Sequence, residues 1–477
     1  MPDKPIPSTG TILKAENGDV IAYDQTGLVL RLSDRVIADI AARLDLPVAE
    51  VGIQQPEQPP QNLPEDLDIW AARQTGEWTS FQGNLPGADG TRGYRRHIDG
   101  GAIVAEARGP LMAILGIGGA RVGLASPGPG AFPYHVFSPA DDIGAVGMGG
   151  DGKAPATALL QSLREQTLEA LLAEDLLSRR AAARMSLPLF FVRAETDHAT
   201  TTADLGTGLA MANFDAALAN LVAAAARLGT TAQVLAVTLD YVLEDISGDA
   251  IAYRDGVIAL MERITRSMAK HHLARPMFLA AFDCGTHDIT DGPALNGQWE
   301  LSWNHADHLL HFTCPAYAFA LDDTGRLTDD GRRAKARIAA ETLLAVQAGD
   351  RWLCPTIQLA EQSGTTIRLI CDSRSPLVID QRDPFAAGPQ AGFRLDGATN
   401  GAKIKTVEID PNDTKTILLH CTKRPEGVDL HVAYAHGAAP HAGPHPANRG
   451  ALRDDWAADG LHRWALPARL RVTGGAG

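Results

Sequence analysis

The sequence predicts an α/β protein: a doubly wound parallel sheet, with a C-terminal β-sandwich or jelly-roll module and a small N-terminal attachment module. Three observations predict it. From about residue 110, apolar runs of strand length recur: LMAIL at 111–115, LPLFFV at 187–192, AQVLAVTL at 232–239 and PMFLAAF at 276–282. Helical stretches lie between them. In LLQSLREQTLEALLAEDLL the residues Leu160, Leu163, Leu168, Leu171 and Leu172 share one helical face. Strands alternating with helices build parallel sheets covered on both faces. After Ala348 the helices stop, and short runs such as TIQLAEQ, TTIRLICD, TKTILLHC and DLHVAYA follow, separated by turn residues.

The other elements follow in chain order. The first fifty residues alternate turns with short β-like runs (TILKA, DVIAYD, LVLRL) and end in a helical pattern, DRVIADIAARLDLPVAEV. Residues 54–65, QQPEQPPQNLPE, read as a proline-stiffened linker. Residues 66–100 hold aromatic and glycine-rich segments without a clear period. Three parts are expected: 1–65 as a separate N-terminal module with its linker, for which the resemblance described below implies attachment and oligomerisation, 66–350 as the α/β domain, and 351–477 as the β-rich module, with a last segment returning to the α/β domain.

Composition narrows the function. The chain has 477 residues, 45% apolar and 21% charged, with a net charge of −14. That charge repels phosphate backbones, so nucleic acid is not expected as a partner, and strongly anionic glycans are disfavoured. No run approaches the roughly 18 continuous apolar residues of a membrane span, so no membrane insertion is expected. The polar start, MPDKPIPSTG, implies synthesis in the cytoplasm. Cys284, Cys314, Cys354, Cys371 and Cys421 show no CxxC pair and read as buried thiols. GIGGARVG lacks the third glycine of a dinucleotide fingerprint, since Arg121 stands there, so no cofactor is expected. WNHADHLLH places His305, His308 and His311 at spacings of three, but a polar loop or surface helix explains them and no metal is assigned. Trp299, Trp303 and Tyr317 flank that run; aromatic faces beside His305 are candidates for gripping sugar rings. His436, His441 and His445 read as decoration of a loop.

Five segments in order carry a resemblance: LMAILGIGGARVGLA (111–125), TTADLGTGLAMANFDAALANLVAAAARLG, VLAVTLDYVLED (234–245), LDDTGRLTDDGRRAKARIAAETL (321–343) and NRGALRDDWAADGLHRWALPA (448–468). Together they resemble the SGNH/GDSL hydrolase modules of phage and gene-transfer-agent particle proteins, over some 350 residues. The family chemistry is acyl transfer by a serine, with a histidine base oriented by an aspartate. Laid over the family blocks, the serine position becomes Gly118 and its asparagine neighbour Gly119. Leu239 stands for a glycine, Asp323 is kept, and Arg326 replaces the histidine. Glycine has no nucleophile, and arginine stays protonated and is no base. Arg326 beside Asp323 is expected to form an ion pair.

The resemblance therefore implies a catalytically inactive pseudoenzyme: a receptor-binding head-spike or tail-fibre subunit on the surface of a phage-like virion or gene transfer agent. It would bind capsular polysaccharide of the host cell, attach to capsid or tail proteins through its N-terminal module, and form a homotrimer. Two alternatives stand beside it, an active carbohydrate O-acetyl esterase and a purely structural particle subunit.

Overall fold

The computed structural model describes residues 10–15, 18–24, 27–30, 63–64, 67–88, 90–149, 152–197, 201–240, 248–304 and 308–474. The chain divides into two units, Met1–Ala107 with Ala131–His135, and Arg108–Gly130 with Val136–Gly477.

In the first unit, β1 (Gly10–Ala15), β2 (Gly18–Asp24) and β3 (Gly27–Leu30) form an antiparallel sheet. A second antiparallel sheet runs β4 (Asp68–Thr75), β5 (Trp78–Asn84), β6 (Arg92–His97) and β7 (Gly100–Ala105) in sequence order. Along β5 burial alternates, which puts Thr79 and Phe81 inward as the two-residue strand period requires. Phe81, Leu85, Tyr94 and Ala105 make its core, and Tyr134 packs edge-on against Tyr94. Residues 68–105 thus group with the N-terminal part, whereas the sequence assigned them to the α/β domain. Their one-sided alternation, short and broken by glycines, is the pattern of a half-buried meander. The linker at 54–65 and the helix before it lie outside the described residues, apart from Leu63 and Pro64.

The second unit holds β8 (Leu111–Gly118), β9 (Ser126–Pro127), β10 (Val136–Pro139), β11 (Leu160–Ser162), β12 (Glu165–Gln166) and β13 (Phe190–Thr196). After these come β14 (Ala232–Asp240), β15 (Met277–Phe282) and β16 (Leu310–Pro315). The helices are α1 (Leu168–Ala182), α2 (Thr202–Leu205), α3 (Leu209–Arg227), α4 (Ala250–Lys270), α5 (Pro293–Asn304) and α6 (Asp329–Gln347). Among the described residues the main sheet has the order β11-β10-β13-β8-β14-β15-β16. Every pair is parallel except β10–β11. Helices α1 and α6 form one layer on the sheet, and α3, α4 and α5 the other. This is the doubly wound arrangement the alternation predicted. By length and composition the helix spanning α2 and α3 could cross a bilayer. Here Phe214, Leu218 and Leu221 are spent on the sheet.

The chain runs from β8 to the edge, returns to β13 beside β8, then crosses to β14 on the other side. The order therefore reverses at β8, and a crevice opens at the carboxyl ends of β8 and β14.

The C-terminal strands are β17 (Thr356–Ser363), β18 (Thr366–Asp372), β19 (Leu377–Ile379), β20 (Phe393–Asp396) and β21 (Ile404–Asp410). They continue with β22 (Asp413–Cys421), β23 (His431–Tyr434), β24 (Leu452–Ala458), β25 (Leu461–Trp464) and β26 (Ala468–Gly474). They make a sheet β20-β23-β26-β17-β18-β22-β21 and a smaller one, β19-β24-β25. One core joins them to the α/β part: Ile367, Leu369, Leu419 and Trp464 lie in the same cluster as Phe319, Ile338 and Trp352. At roughly 1.5–3 kcal/mol per fully buried large apolar side chain, that shared core holds the β strands to the α/β layers. The last strand, β26, sits inside the β-rich sheet between β23 and β17. All five cysteines are buried and free.

Candidate functional site: two clefts

Strand β8 is buried along almost its whole length because strands flank it on both sides and helices cover both faces. Gly116 and Gly118 face the α1 layer. A Cβ at Gly116 would meet the Glu169 carboxylate and lie 2.9 Å from Thr238 Oγ1; one at Gly118 would collide with the carbonyl oxygen of Asp240 and with Val122. The glycines of GIGG are thus packing glycines. Beyond the strand, Gly119 N–H donates to Asp240 O at 3.1 Å and Thr196 Oγ1 donates to Gly119 O at 2.7 Å. A tight turn follows, with Val122 N–H on Gly119 O (3.1 Å) and Leu124 N–H on Arg121 O (3.2 Å). It places Arg121 over the ends of β14 and β15.

There Arg121 Nη2 meets Asp240 Oδ1 at 3.0 Å and Asp283 Oδ2 at 2.5 Å, and Lys335 Nζ from α6 meets Asp240 Oδ2 at 2.5 Å. Asp283 Oδ1 also accepts from Gly285 N–H at 2.7 Å. Burial works to raise the Asp240 carboxyl, but Arg121 and Lys335 outweigh it and hold it below the usual carboxylate range. Beneath lies Glu169, in the first turn of α1 behind its N-cap Thr167, hydrogen-bonded to Thr238 Oγ1. Burial pushes Glu169 upward against the opposing bonds from Thr238 and Thr167 and the charge of Lys335. Leu124, Leu168, Phe319 and Leu327 form the apolar mouth of this cleft, whose volume is about 50 Å³.

The lining contains no serine, cysteine or histidine among the described residues. Ser126, beside the cleft-lining Arg332, donates to Asp329 Oδ1 at 3.0 Å and accepts from Arg332 Nη2 at 2.7 Å; the carboxylate it meets is ion-paired to that arginine, and no histidine hydrogen-bonds to the hydroxyl among the described residues. The pair Thr238–Glu169 is a hydroxyl against a carboxyl, but it is closed from solvent at 3% and 1% exposure, and the carboxyl keeps its proton upward of the usual range.

The structure places the other sequence candidates as follows. Gly118 ends β8, and Gly119 starts the turn. Leu239 is buried on the face opposite Thr238 and Asp240, as strand alternation demands. Asp323 and Arg326 sit exposed in the turn before α6, and no ion pair joins them; the Asp322 carboxylate closes that turn, accepting from Thr324 N–H (2.9 Å) and Arg326 N–H (3.0 Å). The expected Asp323–Arg326 pair is therefore corrected to an Asp322 turn. The neighbouring Leu327–Thr328 and Gly331 have structural duties: Thr328 caps α6, accepting from Gly331 N–H at 3.0 Å, and a Cβ at Gly331 would press on Ala320 O.

Of the sugar candidates, Tyr317 is wholly buried, its hydroxyl 3.0 Å from that of Tyr434 and donating to Ala465 O at 2.7 Å. It belongs to the core, because a buried phenol needs such a partner. Trp299 donates Nε1–H to Ile357 O at 2.9 Å and supports Trp303 edge-on at 5.2 Å, leaving Trp303 44% exposed. His305 lies outside the described residues. His436 and His445 are packed, the second edge-on against Phe385, and do not decorate an open loop. Among the described residues no three His, Cys, Asp or Glu side chains gather as a metal site. Sequence reasoning missed Arg121, Asp240, Asp283, Glu169 and Lys335. Asp240 and Asp283 had a signal: each stands at the carboxyl end of a parallel strand, where such folds place ligands.

A second cleft, of about 490 Å³, opens on the far side of Phe319, where the α/β and β-rich parts meet. Its wall includes Phe385 and Trp464, 4.7 Å apart edge to face, and its rim carries Arg337, Arg382, His462 and the Asp459–Gly460 turn.

No family model matches the chain, and no curated protein matches it. Among solved structures it is similar to a carbohydrate acetylesterase from Xanthomonas citri, at 16% identity over 80% of this chain and 85% of that one, with a TM-score of 0.49. It is also similar to NanS, at 10% identity over 51% of this chain and 99% of that one (TM-score 0.34). A third is a carbohydrate acetylesterase from Sinorhizobium meliloti, at 11% identity over 49% and 99% (TM-score 0.27).

Proposed function

We propose that this chain binds carbohydrate without hydrolysing it, as a spike or fibre subunit on the surface of a phage-like particle. The observation that carries the non-hydrolytic reading is the cleft at the reversal of strand order. An acyl-transfer site needs a nucleophile within hydrogen-bonding reach of a base. That place holds Arg121, Asp240, Asp283 and Lys335 locked to one another. Arginine and lysine ion-paired to carboxylates neither attack an ester nor take the proton of an attacking hydroxyl. Two features support binding: the exposed Trp303 face held by Trp299, and the larger aromatic-walled cleft, whose volume falls in the range of about 300–1,000 Å³ typical of ligand pockets. The particle setting, the host capsular polysaccharide as ligand, attachment through residues 1–65 and a homotrimeric state rest on the resemblance of the five sequence segments.

The purified full chain should turn over p-nitrophenyl acetate no faster than buffer and take no label from a fluorophosphonate probe, while retaining glycans on an array. A rate well above buffer that the probe abolishes would establish the esterase reading instead. A chain that retains no glycan, yet is found on particles by immunogold labelling, would be a structural subunit.

A further inference from the structure

Arg382 and Arg453 share one carboxylate. Asp380 takes Arg382 through Nε at 2.9 Å and Nη2 at 2.6 Å, and Arg453 Nε at 3.0 Å. Two cations on one anion leave one positive charge, and Arg382 carries it outward with its side chain 70% exposed. Across the cleft, Arg337 of α6 donates Nη2–H to the carbonyl oxygen of Asp459 at 3.0 Å and forms no ion pair among the described residues. Its remaining N–H groups are free to donate. The Asp459–Gly460 dipeptide that receives it is a two-residue hairpin turn between β24 and β25, with φ of 48° and 79°. Such a turn gives the rim a defined shape. His462 lies 3.3 Å from Trp456 O through Nδ1, and burial, with the nearby Arg453, lowers its pKa. Behind these polar groups stand Phe319, Phe385 and Trp464.

We propose that this cleft binds a carboxylated sugar unit, of the uronic or sialic acid class, with its carboxylate between Arg337 and Arg382 and its ring against the Phe385–Trp464 wall. Arginine forks match carboxylates in geometry as well as charge, and an aromatic wall takes the C–H face of a pyranose. The chain-wide charge of −14 argues against anionic ligands only at long range. Within a Debye length, about 8 Å at physiological salt, Arg337, Arg382 and Arg453 stand against the carboxylates Asp380 and Asp459, which leaves local positive charge at the cleft. This inference rests on the proposal that the chain binds glycans and names the class of sugar.

Isothermal titration of the full chain with tetragalacturonate, with 3′-sialyllactose and with carboxyl-reduced tetragalacturonate tests it. One of the two carboxylated probes should bind, and which one does tells uronic from sialic recognition. With tetragalacturonate the reduced form should bind at least about tenfold more weakly; with 3′-sialyllactose the comparison is lactose. Arg337→Gln should lose at least about tenfold, and Arg337→Lys should recover part of the loss, with melting temperatures unchanged. Equal affinity for charged and neutral forms, or binding indifferent to Arg337→Gln, overturns the inference. Retention of neutral glycans alone overturns it while leaving the glycan-binding reading intact; retention of no glycan overturns both.

Discussion

The two clefts share Phe319 as a wall, yet one has a volume of about 50 Å³ and the other about 490 Å³. Both are lined by charged side chains, and what differs is where the charges point. In the smaller cleft Arg121 and Lys335 turn inward on Asp240 and Asp283, and the charges cancel within the protein. In the larger, two arginines share Asp380 while Arg337 spends one N–H on a backbone carbonyl, so hydrogen-bonding capacity is left at the rim. A fold can thus keep a crevice at its strand reversal and fill it with its own ions, while a junction with an added β module opens a new one.

The sharpest way to break that contrast is Arg121→Ala. Asp283 is 3% exposed and Arg121 is its ion-pair partner there, so an uncompensated buried carboxylate should remain. Removing one member of a buried pair costs about 3–5 kcal/mol, and chemical denaturation should show a loss of that order. A loss under about 1 kcal/mol would mean that the small cleft is open to water and its ions are not structural.

Restoring a serine tests the same place with a smaller effect. Gly118→Ser puts a side chain against the carbonyl oxygen of Asp240. Overpacking of this kind costs about 1–3 kcal/mol, and the variant should gain no ester hydrolysis, since no histidine lines the cleft. An unperturbed melting temperature together with measurable turnover would show that the crevice is an intact esterase site lacking only its nucleophile.

The smallest effect is a slope in pH. Glu169 has a raised folded-state pKa, chiefly from burial, so its contribution is fully present below the unfolded carboxyl value and is lost as pH rises through the folded value. Asp240, with a lowered value, behaves oppositely: its contribution is present above the unfolded value and is lost as pH falls through the folded one. Stability should therefore decline as pH rises above the unfolded carboxyl value, and Glu169→Gln should flatten that decline while leaving the acid limb. An unchanged slope in the variant would move the responsible group elsewhere, to Glu195, which burial first and the nearby Asp141 next push from 4.5 to about 7 against the opposing charge of Arg193.

Much of the α/β frame was legible. LMAIL, LPLFFV, AQVLAVTL and PMFLAAF became β8, β13, β14 and β15, because strands buried on both faces must be continuous apolar runs. Of the helices between them, α3 and α4 match their periodic stretches, but LLQSLREQTLEALLAEDLL is helical only from Leu168: Leu160 lies in β11 and Leu163 follows it, so the shared helical face expected for them does not form. Residues 66–105 were not legible as a meander, since a one-sided strand shows only every second residue. For the site, the resemblance put Gly118 where a serine belongs and Arg326 where a histidine belongs; the structure adds that a Cβ at Gly118 would collide with the carbonyl oxygen of Asp240. Trp303 read as exposed aromatic surface, whereas Tyr317, equally aromatic and nearby, went to the core through its bond to Ala465.

By itself the sequence determined the main buried strands, the helices α3 and α4, and that the strands build a parallel sheet covered on both faces; laid over the resemblance, it also showed Gly118 and Arg326 where a serine and a histidine belong. These are local properties, carried by period, by turn residues and by the presence or absence of a functional group. Only the tertiary structure decided that Arg121, Asp240, Asp283 and Lys335, spread over more than two hundred residues of chain, close one crevice, and that Arg337, Arg382 and Trp464 open another. The physical reason is that charge pairing and cavity shape depend on distances through space, set by strand order and by the way two sheets share a core. No spacing along the chain encodes them.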